Sequence, residues 1–246
     1  VGNYALQDNT TGGNNVCVGY NAGHMTTTHG HSTYIGNYAG YKLSGNQNVA
    51  IGYNALKGDS NATNAYYNVA IGVDAAENIT TGYNNVFIGW RAALDVTTGN
   101  NLIVIGKNAT PSSNTGSDEV TLGNSSISTL RCNTQTISSL SDARDKTDVQ
   151  ELPEGLDFIS KLNPVKFQWQ TRDGNGKDGT YEAGFIAQEL QSAQQDADAN
   201  YLGLVMDSNP DRLEASYGKL VPMLVKAIQE LKSEVEQLKA NVWHSN

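Results

Sequence analysis

The sequence predicts a mostly β repeat in its first part, followed by an α+β segment that ends in a long helix. Three observations carry this prediction. The composition changes sharply near residue 140, a unit of about 17 residues recurs before that point, and apolar residues at alternating spacings of three and four fill the last part of the chain. These features indicate two domains with different folds.

The change in composition predicts a domain boundary at residues 138–141. Residues 1–140 contain 5 basic and 7 acidic side chains, whereas residues 141–246 contain 11 and 18. Glycine divides 18 to 7 in favour of the first part. Such a step is typical of a boundary between domains. We expect a repeat over 1–126, a linker over 127–140 and a second domain over 141–246.

The repeat predicts stacked β coils. It is marked by glycines that each follow a branched apolar residue: Gly2, Gly19, Gly36, Gly52, Gly72, Gly89, Gly106 and Gly123. A β-branched residue (valine, isoleucine or threonine) usually lies three positions before the glycine, two before the branched apolar residue. This period of two predicts a short strand with one buried and one free face. In seven of the eight repeats an alanine follows the glycine by three residues, which predicts a crowded corner. A period near 17 is too short for a solenoid of helical pairs.

Two of the repeats are similar to those of known trimeric fibres. Residues 48–52 and 68–72 both read Asn-Val-Ala-Ile-Gly. This pattern resembles the repeats of trimeric adhesin heads and phage tail fibres, which implies a β-roll or β-prism built by three chains. The likeness concerns the fold and names no ligand. Because the chain begins inside a repeat, we expect it to derive from a longer protein.

The second part reads as α+β. The pattern predicts in order a helix from Pro153 to Leu162, a strand over Val165–Trp169, a returning strand over Tyr181–Ile186, a helix beginning at Ala187, a strand over Leu213–Tyr217 and a helix from Val221 to Val242. The last helix has Val or Ile at one heptad position and Leu at the other, which is typical of a coiled coil and by itself favours two strands.

A junction motif carries the most specific signal. It reads Leu140-Ser141-Asp142-Ala143-Arg144-Asp145-Lys146 and is followed by Leu-Asn-Pro-Val at 162–165, Gly-Phe-Ile-Ala-Gln-Glu at 184–189 and Lys-Leu-Val-Pro at 219–222. Over 141–246 this series resembles the endosialidase-type C-terminal intramolecular chaperone domain of phage tailspikes and tail fibres. The resemblance implies homotrimerisation, then self-cleavage between Leu140 and Ser141 by a serine–lysine dyad, by position Ser141 and Lys146.

The chemistry of such a dyad is consistent with these residue types. A serine hydroxyl attacks a carbonyl only when a base takes its proton, and a lysine serves when burial lowers its pKa. No histidine lies within residues 141–240 to act instead. Asp145 departs from the family, which usually has an apolar residue before the lysine. Its carboxylate would favour the ammonium form of Lys146.

Together these features predict the distal part of a phage tail fibre or tailspike in the virion tail, folded in the host bacterial cytoplasm. Its partners would be two further copies of the chain and a host cell-surface glycan or protein receptor. The alternative is an uncleaved trimeric fibre or adhesin whose C-terminal domain remains as a foot. A polysaccharide-degrading enzyme fits less well, since residues 1–140 contain only seven carboxylates in no recognisable motif.

Charge and hydropathy exclude other partners. A net charge of −9 and a pI near 4.8 argue against nucleic acid, and no apolar stretch reaches the roughly 18 residues of a membrane-spanning helix. We expect no cofactor. His29 and His31 are weak candidates for a metal site, because three copies would offer six imidazoles, but they align with turn positions. Residues 173–179 predict a hairpin turn, since they fail the EF-hand pattern.

Tyrosine is concentrated in the repeat. Of the 12 tyrosines, 9 precede residue 140. Exposed rings on a β rod suit stacking against sugars, and rings laddered along the strands would equally suit the covering of apolar side chains. The sequence leaves these two interpretations open.

Overall fold

A computed structural model describes residues 1–59, 64–133, 137–172 and 177–244 of the chain. The chain divides into two compact units, Val1–Ser128 and Thr129–Asn246. Most of the predicted turn at 173–179 lies outside the described residues. No helix among the described residues has both the length and the apolar content needed to cross a membrane.

The first unit is a parallel β-solenoid, as the repeat predicted. Its seven strands form one sheet in chain order: β1 Val16–Val18, β2 Thr33–Ile35, β3 Val49–Ile51, β4 Val69–Ile71, β5 Val86–Ile88, β6 Ile103–Ile105 and β7 Val120–Leu122. Equivalent positions of successive repeats pair in register, so that Ala50 lies beside Ala70. At about 4.8 Å between strands, the seven strands span about 29 Å along the solenoid.

The interior of the solenoid holds the central residue of each strand from β1 to β6. Ala50 and Ala70 are fully buried, whereas Ile51 and Ile71 after them are 36% and 38% exposed. The two flanking positions of every strand therefore point outward and form what we call the outer ladder: Val16, Val18, Thr33, Ile35, Val49, Ile51, Val69, Ile71, Val86, Ile88, Ile103, Ile105, Val120 and Leu122. The outward positions thus hold branched residues in every strand, whereas the residue type at the central, inward position varies from strand to strand.

Large and small side chains compensate one another inside the coils. Tyr34 is fully buried, and its ring occupies the space that a Cβ on Gly40 would need, 2.5 Å from that position. In the next coil the sizes are reversed, with Ala50 in the strand and Leu56 at the position equivalent to Gly40. Leu56 and Gly40 both have positive φ angles, 45° and 60°. One backbone shape thus accepts either residue, and the volume of the strand residue decides which one fits.

Each coil turns a tight corner after its strand. The repeat glycines from Gly2 to Gly106 have φ angles of 128° to 139°. A Cβ on Gly36 would lie 2.4 Å from the carbonyl oxygen of Gly52 in the next coil. Only glycine fits at this spacing. The alanines three residues later are fully buried from Ala22 to Ala109, which confirms the predicted crowded corner.

A row of asparagines runs through the interior and joins successive coils. Asn48, Asn68 and Asn85 precede β3, β4 and β5 and are fully buried. The side-chain amide of Asn68 donates to Oδ1 of Asn48 at 3.3 Å, and that of Asn85 donates to Oδ1 of Asn68 at 3.0 Å. Each also donates to a main-chain carbonyl, as Asn68 does to Gly82 at 2.9 Å. These bonds satisfy polar groups that would be costly to bury unpaired.

The described residues of the second unit form three helices and two small antiparallel sheets. Their bounds are α1 Leu156–Ile159, β8 Val165–Gln168 paired with β9 Tyr181–Gly184, α2 Ala187–Asp196, β10 Val205–Met206 paired with β11 Glu214–Ala215, and α3 Val221–His244. Short 3₁₀ turns occur at Ala143–Asp145, Asn200–Leu202 and Tyr217–Leu220. The core is formed by Phe158, Ala199, Leu202, Leu204, Leu220 and Met223.

Helix α1 is shorter than the predicted helix from Pro153 to Leu162. It begins after Gly155, where a carboxylate oxygen of Glu230 accepts the N–H of Leu156 at 2.7 Å. A Cβ on Gly155 would lie within 2.5 Å of that carboxylate, so a larger residue would displace Glu230 from this cap. The chain then tightens into 3₁₀-type bonds through Leu162, because Asn163 precedes a proline and is held out of the helical region.

The predicted strand over Leu213–Tyr217 is also shorter, since β11 covers only Glu214–Ala215. Tyr217 instead begins a 3₁₀ turn that leads into α3. Its hydroxyl accepts the N–H of Phe185 at 3.1 Å, and the two rings pack edge to face. Tyr217, the last residue of the alternating pattern, therefore contacts Phe185 just after β9 and does not extend β11.

Candidate cleavage and assembly sites

A single 3₁₀ turn brings Ser141 and Lys146 together. Lys146 Nζ lies 2.7 Å from Ser141 Oγ. The turn over Ala143–Asp145 makes this possible, because the N–H of Lys146 donates back to the carbonyl of Ala143 at 3.3 Å and ends the turn. Two residues that are five positions apart in sequence are therefore joined by a hydrogen bond, in which Lys146 Nζ donates to Ser141 Oγ.

Asp142 holds the beginning of this turn. Its Oδ1 accepts the N–H of Arg144 at 2.9 Å, and its carboxylate pairs with the Arg144 guanidinium at 2.6 Å. These bonds lower the pKa of Asp142, chiefly through the Arg144 side chain and then through the Arg144 N–H. The pairing leaves Asp142 ionised and engaged with Arg144.

The predicted scissile bond is open to solvent. Leu140 is 83% exposed, and both Ser141 and Lys146 are exposed in the single chain. A lysine that serves as a base is ordinarily desolvated. In the single chain the Lys146 amine and the Ser141 hydroxyl are within hydrogen-bond distance, and both residues remain exposed to solvent.

Asp145 lies next to Lys146 in sequence, but the two side chains do not pair. Among the residues that the structure describes, no salt bridge within 4.0 Å joins them. Asp145 is exposed within the 3₁₀ turn. The Asp145 carboxylate therefore acts on Lys146 only through long-range electrostatics across solvent and not through a direct contact.

Helix α3 presents an exposed apolar row, which we call the helix seam. Its residues at heptad spacing are 40% to 66% exposed: Val221, Leu224, Ile228, Leu231, Val235, Leu238 and Val242. The neighbouring face of the helix start is buried, with Met223 at 1% and Ala227 at 5% exposed. The seam is therefore exposed in the single chain and does not belong to the core of its own unit.

The candidate metal residues do not form a site within one chain. His29 is half-buried, and its main-chain carbonyl accepts the side-chain amide of Asn15 at 2.9 Å. His31 is exposed, with a φ of 61°. The described residues contain no cluster of three or more side chains able to hold a metal. A site shared by three copies stays a prediction.

The structure also brings together two features that sequence reasoning did not identify. One is the outer ladder, which exposes up to two branched side chains per strand over seven strands. The other is an aromatic cluster of Tyr4, Tyr20, His24, Tyr38, Tyr41 and Tyr53, whose rings contact one another across four coils. Its signal is visible in the sequence, as the residues after the strand glycine alternate between Asn-Tyr and Tyr-Asn.

Comparison with known families gives a match within the second unit. Residues 141–199 match the family model described as chaperone of endosialidase. The match begins at Ser141 and includes the 3₁₀ turn, α1, β8, β9 and α2. It is a family of self-cleaving, peptidase-type chaperones that is associated with trimerisation. The comparisons with curated proteins and with solved structures each gave no match.

Proposed function

We infer that this chain, which carries an endosialidase-type C-terminal chaperone domain, is the distal part of a phage tail fibre or tailspike. Its C-terminal domain directs homotrimerisation and then cuts the chain between Leu140 and Ser141. The solenoid forms the shaft or head that contacts the host cell from the virion tail. The observation that carries this proposal is the 2.7 Å hydrogen bond between Lys146 and Ser141 at the first residue of the family match.

The helix seam supports a homomeric assembly of the C-terminal domain. Burying one large aliphatic side chain contributes about 1.5–3 kcal/mol, and the seam offers seven apolar residues per chain. The Val/Ile and Leu pattern alone favours a two-stranded coil. The trimeric state is therefore inferred from the family, and the seam is the surface through which the chains would contact one another.

The outer ladder supports association of the solenoids as well. A free β face in a monomer is ordinarily polar, whereas each flanking position here is branched and apolar or threonine. Contiguous apolar surfaces of this kind mark interaction sites. Three copies of the chain, joined at their C-terminal domains, would place these ladders against one another.

Such an assembly needs a device that sets its register. Successive coils are nearly equivalent, so three solenoids could associate one or more coils out of step and still bury most of their ladders. A globular trimer at one end fixes the starting coil and raises the effective concentration of the three solenoids for one another. This gives the chaperone domain its role during folding, after which it is dispensable.

The cut proceeds by transfer of the chain from nitrogen to oxygen. When assembly desolvates Lys146, its neutral amine takes the Ser141 hydroxyl proton, and Oγ attacks the carbonyl carbon of Leu140. The Leu140–Ser141 C–N bond breaks as the nitrogen receives the proton from Lys146, which leaves an ester on Oγ. Water then hydrolyses the ester to a Leu140 carboxylate and a free Ser141 hydroxyl.

The test is denaturing electrophoresis with intact mass, applied to wild type and variants after assembly. Wild type should give fragments of 140 and 106 residues. Ser141→Ala and Lys146→Ala should each give an uncut chain that still forms trimers. Ser139→Ala and Lys161→Ala are matched controls and should cut like wild type. Cleavage in either dyad variant would overturn the assignment.

A second function remains consistent with the exposed dyad and with the carboxylate of Asp145. In this alternative the chain is a trimeric fibre or adhesin whose C-terminal domain is never cut and stays as a permanent foot. The two functions share the trimer and differ in the mass of the mature chain. A single species of 246 residues would favour the foot.

A further inference from the structure

The aromatic cluster is built by a pattern that the solenoid fold does not require. In the first four coils, the two residues after the strand glycine read Asn3-Tyr4, Tyr20-Asn21, Asn37-Tyr38 and Tyr53-Asn54. Later coils have Val73-Asp74, Trp90-Arg91 and Lys107-Asn108 at the same positions. The strands, corner alanines and register continue unchanged across both sets. The alternation therefore serves something other than the coil.

The alternation controls how the rings meet. Tyrosines at the same position of every coil would stack face to face at the strand spacing of about 4.8 Å. Here neighbouring rings instead contact edge to face, at 5.8 Å for Tyr4–Tyr20, 5.5 Å for Tyr20–Tyr38 and 6.4 Å for Tyr38–Tyr53. This is a preferred geometry for aromatic pairs, and it fixes the rings as one continuous surface.

The cluster is held against the preference of the backbone. Tyr4 and Tyr38 have φ angles of 61° and 59°, in the left-handed region that favours asparagine and aspartate over bulky residues. Asn21 and Asn54 occupy the same position in the alternate coils. The coil imposes a positive φ at this position in the later repeats as well, as at Arg91 with a φ of 54°. Asparagine in all four coils would have relieved the strain and removed the rings.

The rings are accessible and have polar groups beside them. Tyr4, Tyr20 and Tyr53 are 40% to 47% exposed, although each contacts another ring. At one side His24 lies 5.3 Å from the Tyr41 ring, and its Nε2 shares a hydrogen bond of 3.0 Å with Gln7. The opposite ring nitrogen of His24 lies 3.5 Å from the Asp8 carboxylate.

We propose that Tyr4, Tyr20, Tyr38, Tyr41 and Tyr53, together with His24, form a binding surface for an oligosaccharide. A pyranose has an apolar face of C–H groups and a rim of hydroxyls, so it needs ring faces with hydrogen-bonding groups next to them. The cluster offers both over about 14 Å, the height of three strand spacings. Rigid tyrosines supply this contact area at low entropic cost. This inference rests on the proposed host-contact role and names its ligand class.

Binding to polysaccharide is the first test. The full-length assembled protein is applied to immobilised lipopolysaccharides and capsular polysaccharides from a panel of bacteria. Wild type should bind at least one, and Tyr20→Ala/Tyr38→Ala should bind it at least tenfold more weakly with its trimer mass unchanged. The matched control Tyr66→Ala/Tyr83→Ala removes a second exposed, stacked pair and should bind like wild type.

The results that overturn the proposal are distinct. Wild type that binds no polysaccharide, or a cluster variant that binds as well as wild type, rules out the sugar surface. Loss of the trimer in Tyr20→Ala/Tyr38→Ala would mean that another copy of the chain covers the cluster. Tyr20→Phe/Tyr38→Phe should keep stacking and retain most of the binding, which separates ring contact from altered folding.

Adsorption to whole cells of the same bacteria separates this inference from the proposed function. Periodate cleaves the vicinal diols of surface glycans, and treatment of the cells with it should abolish binding of wild type. Binding that survives periodate and is lost after protease treatment would mean a protein receptor, so the sugar surface would fail and host contact would stand. Absence of binding to every strain would contradict host contact itself.

Discussion

The side-chain amide of Asn85 donates a hydrogen bond of 3.0 Å to Oδ1 of Asn68 in the preceding coil, and both residues are fully buried. The same Oδ1 accepts the N–H of Asn85 at 3.2 Å. The asparagine at the start of the Asn-Val-Ala-Ile-Gly repeat is thus a connector between coils. It explains why this polar residue recurs in the buried interior of the coils.

Asn68→Ala should therefore destabilise the solenoid by about 2–4 kcal/mol, because it leaves the buried carbonyl of Gly82 and the buried N–H of Asn85 without the partners that Asn68 supplies. Chemical denaturation of the trimer, followed by the circular dichroism of its strands, measures this. Asn64→Ala changes an exposed asparagine and should be neutral. Equal stability of the two variants would mean that the ladder contributes nothing.

The pair of Tyr34 and Gly40 predicts a compensating double variant. Tyr34→Ala should cost about 3–5 kcal/mol through a cavity, and Gly40→Leu about 1–3 kcal/mol through overpacking against the ring. Together they recreate the Ala50 and Leu56 arrangement of the next coil, so the double variant should be more stable than Tyr34→Ala. Thermal melting of all four proteins tests this, and simple additivity of the two losses would contradict it.

The helix seam predicts the effect of buried charge on assembly. Leu224→Asp/Leu231→Asp should abolish the soluble trimer, because six unpaired carboxylates would enter the seam. Light scattering gives the mass of the assembly. Gln229→Asp/Gln237→Asp adds the same charges to exposed positions off the seam and should remain trimeric. A wild-type dimer or monomer, or a trimeric seam variant, would defeat the assignment.

Asp145 predicts a change in the rate of cleavage. Asp145→Leu should cut several-fold faster than wild type at neutral pH, since removing the neighbouring carboxylate makes the ammonium form of Lys146 less favourable. The rate at which the 106-residue fragment appears, followed by intact mass, measures this effect. Asp145→Asn retains the shape of the side chain and should cut at the same raised rate. An unchanged rate in both variants would show that solvent screens this charge.

Much of the first unit could be predicted from its sequence, because each coil is a local unit that repeats. The glycine spacing fixed which residues pair, and the register of Val49 with Val69 follows from it. The inward face could not be predicted. Period two is the same for both faces, and the inward position holds side chains as different as Ala50 and Tyr34, so residue type does not mark it.

In the second unit, elements with long-range partners were the hardest to predict. The start of α1 depends on Glu230, which is 74 residues away from Leu156. Tyr217 leaves its predicted strand because its hydroxyl binds Phe185, 32 residues earlier. The proximity of Ser141 and Lys146 could be predicted from the sequence because a single turn of chain joins them. The environment that would activate the lysine involves other chains, so no single sequence or chain contains it.

The most direct measurement is the intact mass of the assembled wild-type protein over a prolonged incubation. Cleavage coupled to assembly predicts that trimers give fragments of 140 and 106 residues, with Ser141 as the new N-terminus. It also predicts that the seam variant Leu224→Asp/Leu231→Asp stays uncut, because without assembly Lys146 remains exposed to solvent. A wild-type trimer that retains all 246 residues throughout would contradict self-cleavage and leave only the chaperone fold.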